Sequence, residues 1–137
     1  MAEDRLIADG PRIQQWMHDR SKLPLQRDFH GIAREINGRL VGAFGYDSFQ
    51  ETGCQLHLCV DTPSALNRQL LARAFAVPFY QWNFTYLAAI ISASNHKSLN
   101  MAKRLGFEKC GSIPSHLWFG VMYKRDCRWL WLAERSE

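Results

Sequence analysis

The chain has no CxxC pair, and no histidine stands at a zinc-finger offset from its four cysteines, Cys54, Cys59, Cys110 and Cys127. This excludes the common structural zinc motifs and predicts no metal. Cys54 and Cys59 sit at odd spacing in one strand-like segment. They therefore face opposite sides and cannot easily share a disulfide or a metal, and all four thiols read as reduced. Long apolar runs are also missing. Leu87 to Ile91 falls far short of the roughly 20 residues a membrane helix needs, so no membrane partner is expected. The opening MAEDRLIADG is acidic and has no apolar h-region, unlike a secretory signal, and predicts a cytoplasmic address. No block of basic residues marks a nucleic-acid tail. The net charge of +4 is mild. It suits an anionic cofactor better than a polyanionic partner. Repeats, linkers and low-complexity segments are absent, and 137 residues fit one domain, 1–137.

What is present is a globular composition, 47% apolar and 22% charged, with legible local signals. A short strand over Arg5 to Ala8 precedes a helix opened by Pro11 and capped by Asp9 or Gly10. Asn37-Gly38 between two strand-like runs, Gly31 to Ile36 and Arg39 to Tyr46, is a strong hairpin signal, because both residues tolerate the positive φ of a type I′ turn. Residues 47 to 53, DSFQETG, read as a polar loop. Cys54 to Val60 follows as a strand. Thr62-Pro63 then reads as the start of a helix, with Leu66, Leu70, Ala74 and Val77 on one face and Pro78 closing or kinking it. Tyr86 to Ala93 is a continuous apolar strand of the central parallel kind. Ser94-Asn95 caps a second helix that Gly106 terminates. Phe107 to Ile113 and Trp118 to Lys124 close the series as strands. The order β-α-β-β-β-α-β-α-β-β predicts an α/β fold with a central mixed sheet flanked by helices. The aromatic tail Arg128 to Leu132 and Trp118 predict an exposed patch, hence a homodimer through the C-terminal strand and Trp-rich tail.

The segment Asn95-His-Lys-Ser98 through Leu105-Gly106-Phe107 resembles the late motif of the GCN5-related N-acetyltransferase (GNAT) superfamily. The hairpin IAREINGRLVGAFGY and the strand Leu56 to Val60 followed by a helix resemble its earlier motifs, so that the likeness spans about residues 5 to 125. The ending Met122 to Leu130 bears a fainter likeness to small phage and prophage members. The resemblance implies an acyl-CoA N-acyltransferase fold in which two parallel strands, Cys54 to Val60 and Tyr86 to Ala93, splay apart. It implies acetyl-CoA as co-substrate, its pantetheine arm along the first strand with Cys59 and Val60 among the contacts. The pyrophosphate would lie at the next helix N-terminus, where amide groups and the dipole favour an anion, near Asn67 and Arg68. It implies an acetyl-CoA-dependent N-acetyltransferase that passes the acetyl group directly to an amine.

Two features depart from the family pattern. The stretch from Asp61 to Leu71 has no glycine, where the family's phosphate loop is glycine-rich. Ala102 stands where many members carry a tyrosine that protonates the leaving thiolate, and Ser98 offers a hydroxyl nearby instead. Asn95 is a candidate both for cofactor contact and for a plain helix cap. The resemblance places the base on the strand Cys54 to Val60, commonly as a glutamate; no carboxylate stands there, and His57 is the candidate in its place, with Glu35, Tyr46 and Tyr123 behind it. A cysteine nucleophile at Cys59, with His57 two residues away, is the minor alternative to reading all four cysteines as plain reduced thiols. Two alternatives stand beside the enzyme: a catalytically weak acyl-CoA-binding or regulatory protein on the same fold, and a phage nucleic-acid-associated modification protein.

Overall fold

A computed structural model describes residues 3–110 and 116–135. Among these residues seven strands form one sheet in the order β1-β2-β3-β4-β5-β7-β6. They are β1 Asp4–Ile7, β2 His30–Ile36, β3 Arg39–Asp47, β4 Gly53–Val60, β5 Tyr86–Ser92, β6 Glu108–Lys109 and β7 Leu117–Tyr123. Only β4 and β5 run parallel; every other neighbouring pair is antiparallel. The helices are α1 Gly10–Ser21, α2 Arg68–Ala76, α3 His96–Leu105 and α4 Leu130–Arg135. Among them none is long and apolar enough to cross a membrane.

Local chemistry sets several boundaries as expected. Asn37 and Gly38 turn the β2–β3 hairpin at φ 50° and 82°. The Asp9 carboxylate accepts the Arg12 amide at the start of α1. Gly106 ends α3 at φ 113°. Alternation then sorts the strands onto two cores. Ile32, Phe44, Tyr46, Leu56 and Leu87 join side chains of α2, α3 and α4 in the larger cluster. Ala33, Leu40 and Ala43 face Ile13 and Met17 of α1. Cys54 lies in the first core and Cys59 against the second, on opposite sides of β4 as their spacing requires; all four thiols are free.

Four expectations change. Asp47 is not a loop residue: it is the last residue of β3, paired with Gln55 and completely buried. The helix after β4 does not begin at Pro63. Pro63–Ala65 makes one 3-10 turn, and Arg34 Nη1 donates to the Ser64 and Ala65 carbonyls at 3.0 and 3.2 Å. Those carbonyls are the ones a continuing helix would use, so the chain extends through Leu66 and restarts at Arg68. The strand expected over Phe107 to Ile113 reduces to Glu108–Lys109, and residues 111–113 lie outside the described residues. The aromatic tail folds onto its own chain. Trp129 stacks on Phe75 and its Nε1–H donates to the Leu105 carbonyl at 2.7 Å, while Leu130, Leu132 and Trp118 are buried. Trp131 stays 45% exposed.

Candidate active site

The parallel pair is joined over three residue pairs only: Gly53↔Tyr86, Cys54↔Leu87 and Gln55↔Ala88. Past that point β4 follows β3 as far as Val60, and β5 follows β7 as far as Ser92. Each strand holds to its antiparallel neighbour, and the two part. The resulting cleft, about 550 Å³, runs between β4 and β5 with α3 along one side and Lys22, Leu23 and Pro24 at its rim. On its β5 flank, residues 56–60 of β4 present backbone N–H and C=O groups with no strand opposite among the described residues. Such an edge can pair with an extended ligand.

His57, on β4, lies across from Gly45 and lines the cleft. The ring of Phe29 occupies the space a Cβ at Gly45 would need, at 2.7 Å, so a larger residue there would have to displace that ring. The imidazole Nε2–H donates to both Asp47 oxygens, at 2.9 and 3.0 Å. The Asp47 side chain is 1% exposed and that of His57 20%. One residue on the same strand face, Cys59 also lines the cleft, but burial, the largest influence, pushes its thiol up from the usual value. A raised thiol pKa disfavours the thiolate that a cysteine nucleophile needs.

The opposite wall starts at α3. The Asn95 carboxamide oxygen accepts the Ser98 amide at 3.2 Å, so Asn95 caps the helix while also lining the cleft. The Ser98 hydroxyl lines the cleft as well and has no protein partner among the described residues. Ala102 follows one turn on, without a proton donor. The structure thus gathers His57, Cys59, Val60, Asn95 and Ser98 around one opening.

Asn67 and Arg68 stand outside that lining. The Asn67 side chain accepts the Leu70 amide at 2.8 Å and caps α2, leaving the Arg68 and Gln69 amides free of the cap. The Arg68 guanidinium lies 5.9 Å over the Trp131 ring. Two of the weaker base candidates are committed elsewhere, and the third, Tyr123, is exposed outside the cleft lining. Glu35 is clasped by Arg5 and Arg12. Tyr46 is fully buried with its hydroxyl on a backbone carbonyl. Arg125 sits over the Tyr123 ring. Asp47 is the residue that sequence reasoning missed; the period-2 pattern of β3, extended by one residue, was the available signal.

A mixed sheet whose one parallel pair splays around a cleft is the fold of the GCN5-related N-acetyltransferases. No family model matches the chain, and no curated protein matches it in sequence. Among solved structures it is similar to the spermidine/spermine N-acetyltransferase SpeG of Vibrio cholerae, at 13% identity and TM-score 0.68, covering 98% of this chain and 100% of that one. It is also similar to the N-acetyltransferase PseH of Campylobacter jejuni, solved in complex with acetyl coenzyme A, at 13% identity and TM-score 0.61, covering 89% of this chain and 99% of that one. At these identities the likeness is one of fold.

Proposed function

We propose that this chain is an acetyl-CoA-dependent N-acetyltransferase that transfers the acetyl group directly to an amine, with His57 taking the amine's proton. The observation that carries this reading is the parting of β4 and β5 around a cleft with His57 on its wall. The residues present fit the co-substrate. The unpaired edge of β4 over 56–60 offers backbone partners to the amides of a pantetheine arm, with Cys59 and Val60 at its open end. The free N-terminus of α2, with the Arg68 and Gln69 amides and the Arg68 guanidinium, offers a place for phosphates beyond the cleft. Bound acetyl-CoA supplies an activated acetyl thioester, which releases a thiolate as the amine nitrogen bonds to the carbonyl carbon.

The side chains divide the remaining work. His57 accepts the proton lost by the amine. Ser98, whose hydroxyl is uncommitted, donates toward the leaving thiolate in place of the acid that Ala102 lacks. Asn95 holds the start of α3 at the cleft. The charged residues among the described lining are Arg20, Lys22 and Lys97, with no carboxylate. Arg20 is paired with Asp61 at 2.9 Å, and the two lysines suit the anionic groups of the co-substrate. Self-association through β7 and the tail would use Trp131 as its exposed aromatic, and sedimentation measures it directly.

Ala102 favours a second reading, an acyl-CoA-binding protein with little turnover. One experiment separates the two: thermal melting with acetyl-CoA, followed by thiol release over a panel of amines. A ligand that binds only the folded chain stabilises it by about 2.7 kcal/mol at about 100 times its dissociation constant. A shift with turnover supports the enzyme, and a shift without turnover supports the binding protein. No shift at saturating acetyl-CoA overturns both.

A further inference from the structure

Asp47 is a fully buried carboxylate at the end of a strand. A carboxylate is costly to bury, and it persists in a core only when paired. Among the described residues its side-chain hydrogen-bond partner is His57 alone, reached diagonally across β3 and β4. A carboxylate only accepts, so the nitrogen it faces, Nε2, carries the hydrogen. The other ring nitrogen, Nδ1, has no partner among the described residues, and no buried side-chain nitrogen or oxygen there lacks one. Nδ1 is therefore open to solvent, on a residue that lines the cleft. Among the described residues Asp47 is the only hydrogen-bond partner of the ring. Phe29 fills the space over Gly45, and Cys59 flanks the ring along the strand. The other charged groups of the lining, Arg20, Lys22 and Lys97, make no hydrogen bond to the ring.

We infer that Asp47 is the positioning residue of this site: it holds the His57 proton on Nε2 and turns Nδ1 to the cleft as the atom that takes the amine's proton. The inference rests on the acetyltransferase reading for its chemistry, and on the Asp47–His57 geometry for the rest. On proton transfer the amine's hydrogen moves to Nδ1, the ring becomes an imidazolium, and the Asp47 carboxylate faces the new charge without moving. Substrate, not Asp47, touches Nδ1, so Asp47 acts through His57 alone.

The experiment is a ¹⁵N–¹H spectrum of histidine-labelled protein in mildly alkaline buffer, where imidazoles are neutral, with His57 assigned by its absence in His57→Gln. A His57 ring protonated on Nε2 and bare at Nδ1 is the expected result; a proton on Nδ1 overturns the inference. Asp47→Asn supplies the second arm. An amide can accept from Nε2–H or donate to a bare Nε2, so the variant's His57 should populate the opposite tautomer. Its kcat should fall by about 10²- to 10⁴-fold, with the KM for acetyl-CoA unchanged. A variant with wild-type spectrum and wild-type kcat overturns the inference too. Where Asp47→Asn fails to fold, Asp47→Ser supplies the second arm, and a wild-type tautomer ratio and kcat in it overturn the inference. The spectrum needs no acceptor amine, so a chain that proves inactive but carries its proton on Nε2 counts against the acetyltransferase reading and not against the role of Asp47.

Discussion

Tyr46 donates its hydroxyl hydrogen to the Ala74 carbonyl at 2.5 Å, and Ala74 lies four residues before Pro78. In a continuing α-helix that carbonyl would take the amide of residue 78, but proline has none. The chain widens there into a π-helical turn over Val77–Gln81, and the tyrosine of β3 supplies the donor. Burial, and then the nearby Cys54, push the Tyr46 phenol well above its usual value, so it stays a donor. Tyr46→Phe leaves a buried acceptor without its partner. The expected cost is about 1–3 kcal/mol, read as a lower denaturation midpoint at unchanged slope. An unchanged midpoint would mean that the carbonyl finds a partner elsewhere.

His57→Gln should lower turnover by about 10²- to 10⁴-fold, the scale of losing a general base. Acetyl-CoA affinity should hardly move, because the fit to β4 is through backbone. Steady-state kinetics with an amine that wild type accepts, alongside an acetyl-CoA melting shift, tests both halves. Near-normal turnover in a folded variant would place the base elsewhere.

Glu35 sits at the centre of a three-residue clasp between the sheet and α1. Hydrogen bonds from Arg12, and then from Arg5, hold its carboxyl below the usual carboxylate range. A lowered value means that the clasp stabilises the fold fully above the ordinary carboxylate pKa of about 4.3, and that this contribution is lost as pH falls through the folded value. Glu35→Gln should therefore melt below wild type at neutral pH, with the gap closing in acid. A gap constant across the whole pH range would show that the charge plays no part.

The thiols should separate by environment. Burial, with the Asp47 charge second, pushes Cys54 up to about 12, and burial pushes Cys127 up to about 11. Neither forms appreciable thiolate in mildly alkaline buffer. A disulfide reagent should leave both unmodified in the native protein and titrate all four thiols in denaturant, as peptide mapping would show. Rapid native labelling of Cys54 would mean that the β4–β5 junction opens far more readily than its pairing implies.

Removing Arg128 onward should cost folding rather than only association. The tail carries Leu130 and Leu132 into the larger core, and Trp129 onto Phe75. Burial of a single large apolar side chain is worth about 1.5–3 kcal/mol, so the truncated chain should melt lower at every protein concentration. A truncated chain that melts like wild type, while sedimenting as a smaller species, would restore the tail to a purely intermolecular role.

The sequence alone determined what short-range chemistry decides. Asn37-Gly38 had to turn, Gly106 had to end a helix, Asn95 had to cap one, and Cys54 and Cys59 had to face apart, because φ preference, side-chain caps and the two-residue strand period act within a few residues. The succession of elements, and with it the mixed sheet flanked by helices, followed from those; His57 as candidate base came from the resemblance of its strand to the family's. The remaining features needed distant parts of the chain. Asp47 reads as the first polar residue of DSFQETG; only the pairing of β3 with β4 makes it a buried strand end facing His57. Thr62-Pro63 reads as a helix start; only Arg34, far back in the chain, takes the carbonyls that defer the helix to Arg68. The run RWLWL reads as an exposed patch; only the Phe75 ring and the Leu105 carbonyl make Trp129 part of the core. The cleft itself belongs to this second group. Its two walls are ordinary apolar strands, and they part because each follows a different antiparallel neighbour, a competition among long-range hydrogen bonds that no local pattern records.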